Sequence, residues 1–298
     1  PGERFNNIIV NYLKFARDFN EKFPGFETDN HGLVKQKIDA LKSSGDFANN
    51  LILEEEALLK ASLCDEKIAK GEKLGVLEGV PFGVKDVFLL KNTISTASSN
   101  ILKNYVSPYT ATAIQRLINA GAIPVAKENC DAFGHGSTNE NSFFGAVKNA
   151  LDSSKVSGGS SGGSAVNVAK NNTVFSIGGD TGGSIRQPAG YNKVYGLKPT
   201  YGKVSRYGLM AYTSSSDCVG PIAQTVTDIA IVLNQMSGLD SKDQTTFQSD
   251  KINIDKLGEG VDFKQIKVGV YSTFINHPSL SLEIKDSFNK FIETLQNC

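Results

Sequence analysis

Residues 157–188 read Ser157-Gly158-Gly159-Ser160-Ser161-Gly162-Gly163-Ser164-Ala165-Val166-Asn167-Val168-Ala169-Lys170-Asn171-Asn172-Thr173-Val174-Phe175-Ser176-Ile177-Gly178-Gly179-Asp180-Thr181-Gly182-Gly183-Ser184-Ile185-Arg186-Gln187-Pro188. Two glycine-serine loops bracket a helix over 164–170 and an apolar strand over 173–177. The strand runs directly into the second loop. Nine of the 29 glycines fall between Gly158 and Gly190. Glycine loses the most backbone freedom on folding, so this density implies sharp bends or close approach to a ligand. Loops this rich in hydroxyls suggest an oxyanion-binding nucleophile site rather than a linker.

The same alternation extends outwards. Leu77 opens a change of character, and Glu78 to Val87 is a short apolar run bounded by Gly and Pro, which predicts a buried strand. A helix over 111–120 ends at Gly121, and Ala122-Ile123-Pro124-Val125-Ala126 is a further strand. Thr225 to Gly238 predicts a helix closed by Gly238. Ile266 to Tyr271 predicts a strand, and Ser281 to Gln296 a closing helix. Asp240 to Gly260 is polar and predicts a surface excursion. Helices alternating with strands predict an α/β fold with a mixed, largely parallel sheet. The first third is helical: Phe5, Ile8, Ile9, Tyr12, Ala16 and Phe19 recur at helical spacing, and Phe47 to Gly71 repeats the pattern. Residues 1–76 are therefore expected to form a helical region packed on a core over 77–298.

Bulk composition excludes several classes. Lysine plus arginine equals aspartate plus glutamate at 31 each, so there is no overall basic field for gripping nucleic acid. Four scattered cysteines without a CxxC pair fit reduced thiols and an intracellular compartment better than a disulfide framework. No apolar run approaches a membrane span. Glu3, Asp18 and Glu21 argue against an intact transit peptide over 1–23. No cysteine-histidine cluster has metal-site spacing, and no metal is expected.

Three side chains stand out chemically. Lys85 ends an apolar strand. A lysine is ordinarily solvated, but the dry approach Val80 to Val84 suggests burial, which lowers a lysine pKa and makes a neutral amine a competent base. Ser184 follows Gly182-Gly183, whose backbone N–H groups can converge on one point. Such an oxyanion hole is worth about 2.7–4 kcal/mol per donor in acyl transfer. A tight strand-to-helix connection without chemistry is the plainer alternative. Ser160, in the first loop, could relay a proton from Ser184 to Lys85. His31, His135 and His277 lack a triad-like setting. Gly159 to Gly163 matches a nucleophile elbow at Ser161, but no strand clearly feeds it. Asp180-Thr181-Gly182 has the form of an aspartic protease motif without a second copy. Neither loop has the ending of a phosphate-binding loop.

Taken together, Lys85, the 158–164 stretch and Asp180 to Pro188 resemble the amidase signature family. The resemblance implies helices on both faces of the sheet and a Ser–cis-Ser–Lys triad. Ser184 would be the acyl-forming nucleophile, Ser160 the bridging serine after a cis peptide bond, and Lys85 the base. Thr181, Gly182, Gly183 and Ser184 would supply the oxyanion N–H groups, Asp180 and Arg186 would brace the loop as an ion pair, and Gly136 and Ser137 would touch substrate.

Gly196 to Gly202, Val204 to Leu209, Gly220-Pro221-Ile222 and Gly136 to Ser142 are similar to the A-subunit branch of that family, found in glutamyl-tRNA(Gln) amidotransferases. This likeness implies glutamine hydrolysis with ammonia passed to a B subunit beside a small third subunit. Misacylated Glu-tRNA(Gln) would be met only through that complex. It implies no cofactor in this chain, with ATP and Mg on the partner. A stand-alone amidase and an inactive scaffold are the alternatives. Family members continue past the position of Cys298, so the part completing the sheet and clamping glutamine is expected to be missing here. Cys130-Asp131-Ala132-Phe133-Gly134-His135 departs from the commoner Met-Asp-Glu-Phe-Ala-Met. Asn and Lys richness with no Trp and little Met suggests an AT-rich genome. A mitochondrial location is expected, with a bacterial cytoplasm as the alternative.

Overall fold

A computed structural model describes residues 29–257, 259 and 267–297. The helix expected over Phe5 to Phe19 lies outside them. The chain divides into two compact units, with the break after Ile252.

The first unit is built on a six-stranded sheet in the order β1-β3-β2-β4-β6-β5. Its strands are β1 (Asn49–Ile52), β2 (Pro81–Lys85), β3 (Ile123–Glu128), β4 (Phe175–Asp180), β5 (Tyr195–Gly196) and β6 (Cys218–Ala223). The central pairs β3–β2 and β2–β4 are parallel, whereas β1–β3, β4–β6 and β6–β5 are antiparallel. Strands β2, β3, β4 and β5 thus share one direction, and the sheet is mixed and largely parallel. Every residue of β2, β3 and β6 is buried. Continuous apolar runs of this kind are what a sheet covered on both faces requires.

Helices α1 (Asn30–Ser43), α2 (Glu54–Ala69), α3 (Thr112–Asn119), α4 (Gly162–Ala169), α5 (Arg186–Tyr191) and α6 (Val226–Met236) flank this sheet. Val34, Ile38 and Leu41 of α1 and Ala57 and Ala61 of α2 pack with Ile123, Val125 and Ala126 of β3. Ala165 and Val168 of α4 pack with Ile185, Ala189 and Ile222. Capping is local. Asp29 accepts the Gly32 N–H at α1 (2.7 Å), and Thr225 accepts the Asp228 N–H at α6 (3.1 Å).

Two local readings need correction. The helical pattern over 47–71 begins with a strand: Asn49–Ile52 pairs with β3, and α2 starts only at Glu54. Tertiary pairing overrides propensity there. Strand β6 contains Gly220 and Pro221, which obscured it, because proline cannot donate to a ladder. Its glycine is required, since a Cβ at Gly220 would lie 2.0 Å from the Leu197 carbonyl oxygen.

The second unit contains α7 (Ser272–Ile275) and α8 (Leu282–Gln296), the latter capped by Ser281. The strand expected over 266–271 does not form across 267–271, and Ile266 lies outside the described residues. Among the described residues no other strand of this unit offers it a ladder, and an unpaired strand leaves its backbone groups unsatisfied.

Candidate active site

Lys85 closes β2 and is 2% exposed. Its Nζ donates to Ser160 Oγ at 2.7 Å and to the Gly179 carbonyl at 3.3 Å. Burial pushes the Lys85 pKa down, against the nearby Cys130, Asp131, Asp180 and Asp217, which favour the charged form. Desolvation is the winning effect, because an ammonium in this dry position loses its hydration.

Ser160 is itself 1% exposed and follows a cis peptide bond from Gly159. The loop is tied on several sides. Gly159 N–H donates to Gln187 Oε1 (2.9 Å), Ser161 N–H to the Ser184 carbonyl (3.0 Å) and Gly162 N–H to Asn139 Oδ1 (3.1 Å). A Cβ at Gly159 would stand 2.1 Å from Asp131 Oδ2, so only glycine fits this approach. Helix α4 begins at Gly162, which places the loop over its N-terminus.

The second loop is organised by Asp180, the last residue of β4. Its carboxylate accepts the N–H groups of Gly183 (2.8 Å), Ile185 (3.1 Å) and Arg186 (3.3 Å). It also takes the Arg186 guanidinium through both oxygens, at 3.0 and 2.9 Å. Burial alone would raise its pKa; the Arg186 contact and the three N–H groups outweigh burial and hold the carboxyl below its ordinary value. Gly183 adopts φ +130°, a conformation side chains rarely take. Its N–H is held on Asp180, so Thr181, Gly182 and Ser184 carry the remaining candidate oxyanion donors.

The loops meet in a cleft. Ser184, Thr181, Gly182, Gly183, Gly136 and Ser137 line it together with Gly134, Gly159, Gln187 and Tyr212. An adjoining hollow holds Lys85, Ser160, Asp180 and Asp217 and shares Gly134, Thr181 and Tyr212 with it. Gly136 and Ser137 are exposed on the rim. His135 is also exposed; it stacks on Tyr212 with ring centroids 4.0 Å apart and contacts the Phe133 carbonyl through Nδ1.

Several site residues escaped sequence reasoning. Asp217 accepts Thr181 Oγ1–H (2.5 Å) and the N–H groups of Tyr212 and Thr213, fixing the far wall. Asp131 is buried against Gly159. Lys127 is a second buried lysine, paired with Asp86 at 2.7 Å. Glu128, in register with Lys85, is buried beneath α4. It accepts from Asn167 Nδ2 (3.0 Å) and Ser176 Oγ (2.7 Å), while Oε2 has no hydrogen-bond partner. Burial pushes its pKa up to about 7. The Asp131 and Glu128 signal was an acid inside or beside an apolar strand, legible only as an oddity. Among the described residues, no cluster of three or more His, Cys, Asp or Glu could hold a metal ion, and no helix is long and apolar enough to cross a membrane.

A buried lysine bound to a serine of one glycine loop, beside a second loop rich in backbone donors, is the arrangement of an acyl-transfer site. The family model described as Amidase matches residues 33–298, and the chain belongs to that family. A model of the Orn/Lys/Arg decarboxylase C-terminal domain matches only residues 1–44. More particularly, the chain is 41% identical to the A subunit of glutamyl-tRNA(Gln) amidotransferase from Prochlorococcus marinus, over 94% of this chain and 58% of the relative. It is 47% identical to the corresponding protein of Deinococcus deserti, over 82% and 50%. Among solved structures, the A subunit from Thermotoga maritima matches with TM-score 0.67 and 38% identity, over 74% of this chain and 46% of that one. The peptide amidase of Stenotrophomonas maltophilia matches with TM-score 0.70 and 33% identity, over 80% and 51%. The chain thus spans about half the length of the relatives it matches.

Proposed function

We propose that this chain carries the glutamine-hydrolysing centre of a tRNA-dependent amidotransferase. The observation that carries the reading is the 2.7 Å contact between the buried Lys85 Nζ and Ser160 Oγ, set beside the cleft that holds Ser184. With its pKa lowered, Lys85 is available as a neutral amine. It takes the Ser160 proton while Ser160 takes the Ser184 proton, and Ser184 Oγ attacks the side-chain amide carbon of glutamine. The oxyanion that forms is received by the N–H groups of Thr181, Gly182 and Ser184. Proton return to the departing nitrogen releases ammonia and leaves a γ-glutamyl ester on Ser184, which water then hydrolyses. The ammonia passes to a partner B subunit, where ATP and Mg activate the glutamate of Glu-tRNA(Gln), with a small third subunit completing the assembly. The names of the relatives support this choice of substrate and partners.

The test is Ser184→Ala in the complete protein assembled with its partners. Glutamine-dependent ammonia release is expected to vanish, while amidation fed with free ammonium survives. Loss of both activities together, or survival of glutamine hydrolysis, would overturn the reading.

A further inference from the structure

Asp131 occupies the space behind the lysine–serine pair, and no role in the reaction above has been given to it. It is 1% exposed. Its backbone N–H donates to the Ser160 carbonyl at 3.2 Å. Both carboxylate oxygens accept the Asn139 N–H at 3.1 Å. The same two oxygens fill the places that side chains would need at neighbouring glycines. A Cβ on Gly159 would be 2.1 Å from Oδ2, and one on Gly136 would be 2.2 Å from Oδ1. Asp131 therefore touches the backbone on both sides of the bridging serine's loop and the rim segment 136–139.

We infer that Asp131 is a positioning residue for the amide-cleaving reaction: its backbone holds Ser160, and its carboxylate sets the charge facing Lys85. The inference rests on the proposed function. Four groups face the Lys85 amine: Cys130 and Asp131 from the segment after β3, Asp180 from β4, and Asp217 ahead of β6. Asp131 is the acid among them that also bonds the Ser160 backbone. Burial raises its own pKa, and the hydrogen bond from Asn139 and the charge of Lys85 work in the opposite sense. Its charge favours the Lys85 ammonium, so removing that charge makes the amine easier to deprotonate.

The experiment follows glutamine hydrolysis against pH in the complete, assembled protein, for wild type, Ser184→Ala and Asp131→Asn. Asp131→Asn is expected to lower kcat by about 10²-fold, the scale set by small misplacements of reacting groups, with KM unchanged. The acid limb of kcat/KM, where Lys85 must lose its proton, is expected to move to lower pH. An unmoved acid limb, or an effect on KM alone, overturns the inference and leaves the proposed reaction standing. Hydrolysis that survives Ser184→Ala overturns the reaction itself. If Asp131→Asn does not fold, Gly136→Ala serves, because its methyl displaces the carboxylate from the rim. A comparable fall in kcat supports the inference, and a wild-type rate overturns it.

Discussion

Asp180 receives the guanidinium of Arg186 on both of its oxygens while three backbone N–H groups of the intervening turn point at the same carboxylate. The carboxylate is fully buried and the guanidinium half exposed. The acid thus shapes the turn that presents Ser184, and the arginine satisfies it from outside. Asp180→Asn keeps the size but removes the charge. It is expected to cost about 1–3 kcal/mol, the range for hydrogen bonds to a charged group, read from denaturant unfolding at pH 7. The Asp180 pKa lies below 3.8 in the folded chain, so its stabilisation is present above that value and is lost as pH falls through the folded pKa. The difference between variant and wild type is therefore expected to shrink in acid.

Lys85→Met tests the other side of the site. Its amine is buried and its pKa lies below 10.5, so the unfolded chain binds the extra proton in the window between the two values. Wild-type stability is expected to climb with pH through that window and to level off near the unfolded lysine value. Methionine has no such penalty. The variant is expected to hydrolyse no glutamine and to unfold at higher denaturant concentration than wild type at pH 7, with the gain fading towards pH 10.5. A variant less stable than wild type at pH 7 would contradict the assignment of Lys85 as desolvated.

Glu128 reports the pH dependence of the core. Its pKa is raised from 4.5 to about 7. Stability linked to its proton is fully present below pH 4.5 and is lost as pH rises through about 7. At 1.36 kcal/mol per pKa unit the loss is ~3 kcal/mol. Glu128→Gln keeps an acceptor for Asn167 and Ser176 and never ionises. It is expected to remove this decline and to be the more stable protein at pH 8, as measured by thermal unfolding across pH 5–8.

Two thiols should be silent in the folded chain. Burial pushes Cys64 up to about 12 and Cys130 up to about 11. The thiolate is the reacting form. Alkylation at pH 7.5 is expected to leave both unmodified until denaturant is added, a result that mass mapping of the labelled peptides checks.

Much of the architecture was legible from local pattern. The strands ending at Lys85, Glu128 and Asp180, and the helices at 112–119, 162–169, 226–236 and 282–296, follow apolar period and glycine punctuation. The elements misread were those whose existence depends on a distant partner. Strand β1 forms because β3 offers it a ladder, β6 forms despite Pro221 because β4 and β5 flank it, and residues 267–271 find no such partner among the described residues of their unit.

The order of residues by itself determined where the chain bends, which turns demand glycine, and that Lys85, Ser160 and Ser184 stand at element ends. These are properties of backbone sterics and nearest neighbours. Only the tertiary structure decided that Lys85 rather than Lys127 meets Ser160, that Asp180 engages the Gly183 N–H, and that Asp131 and Glu128 are sealed beside the site. Each of those outcomes depends on which strand lies next to which, and on the desolvation that follows when groups distant in sequence close over a charge.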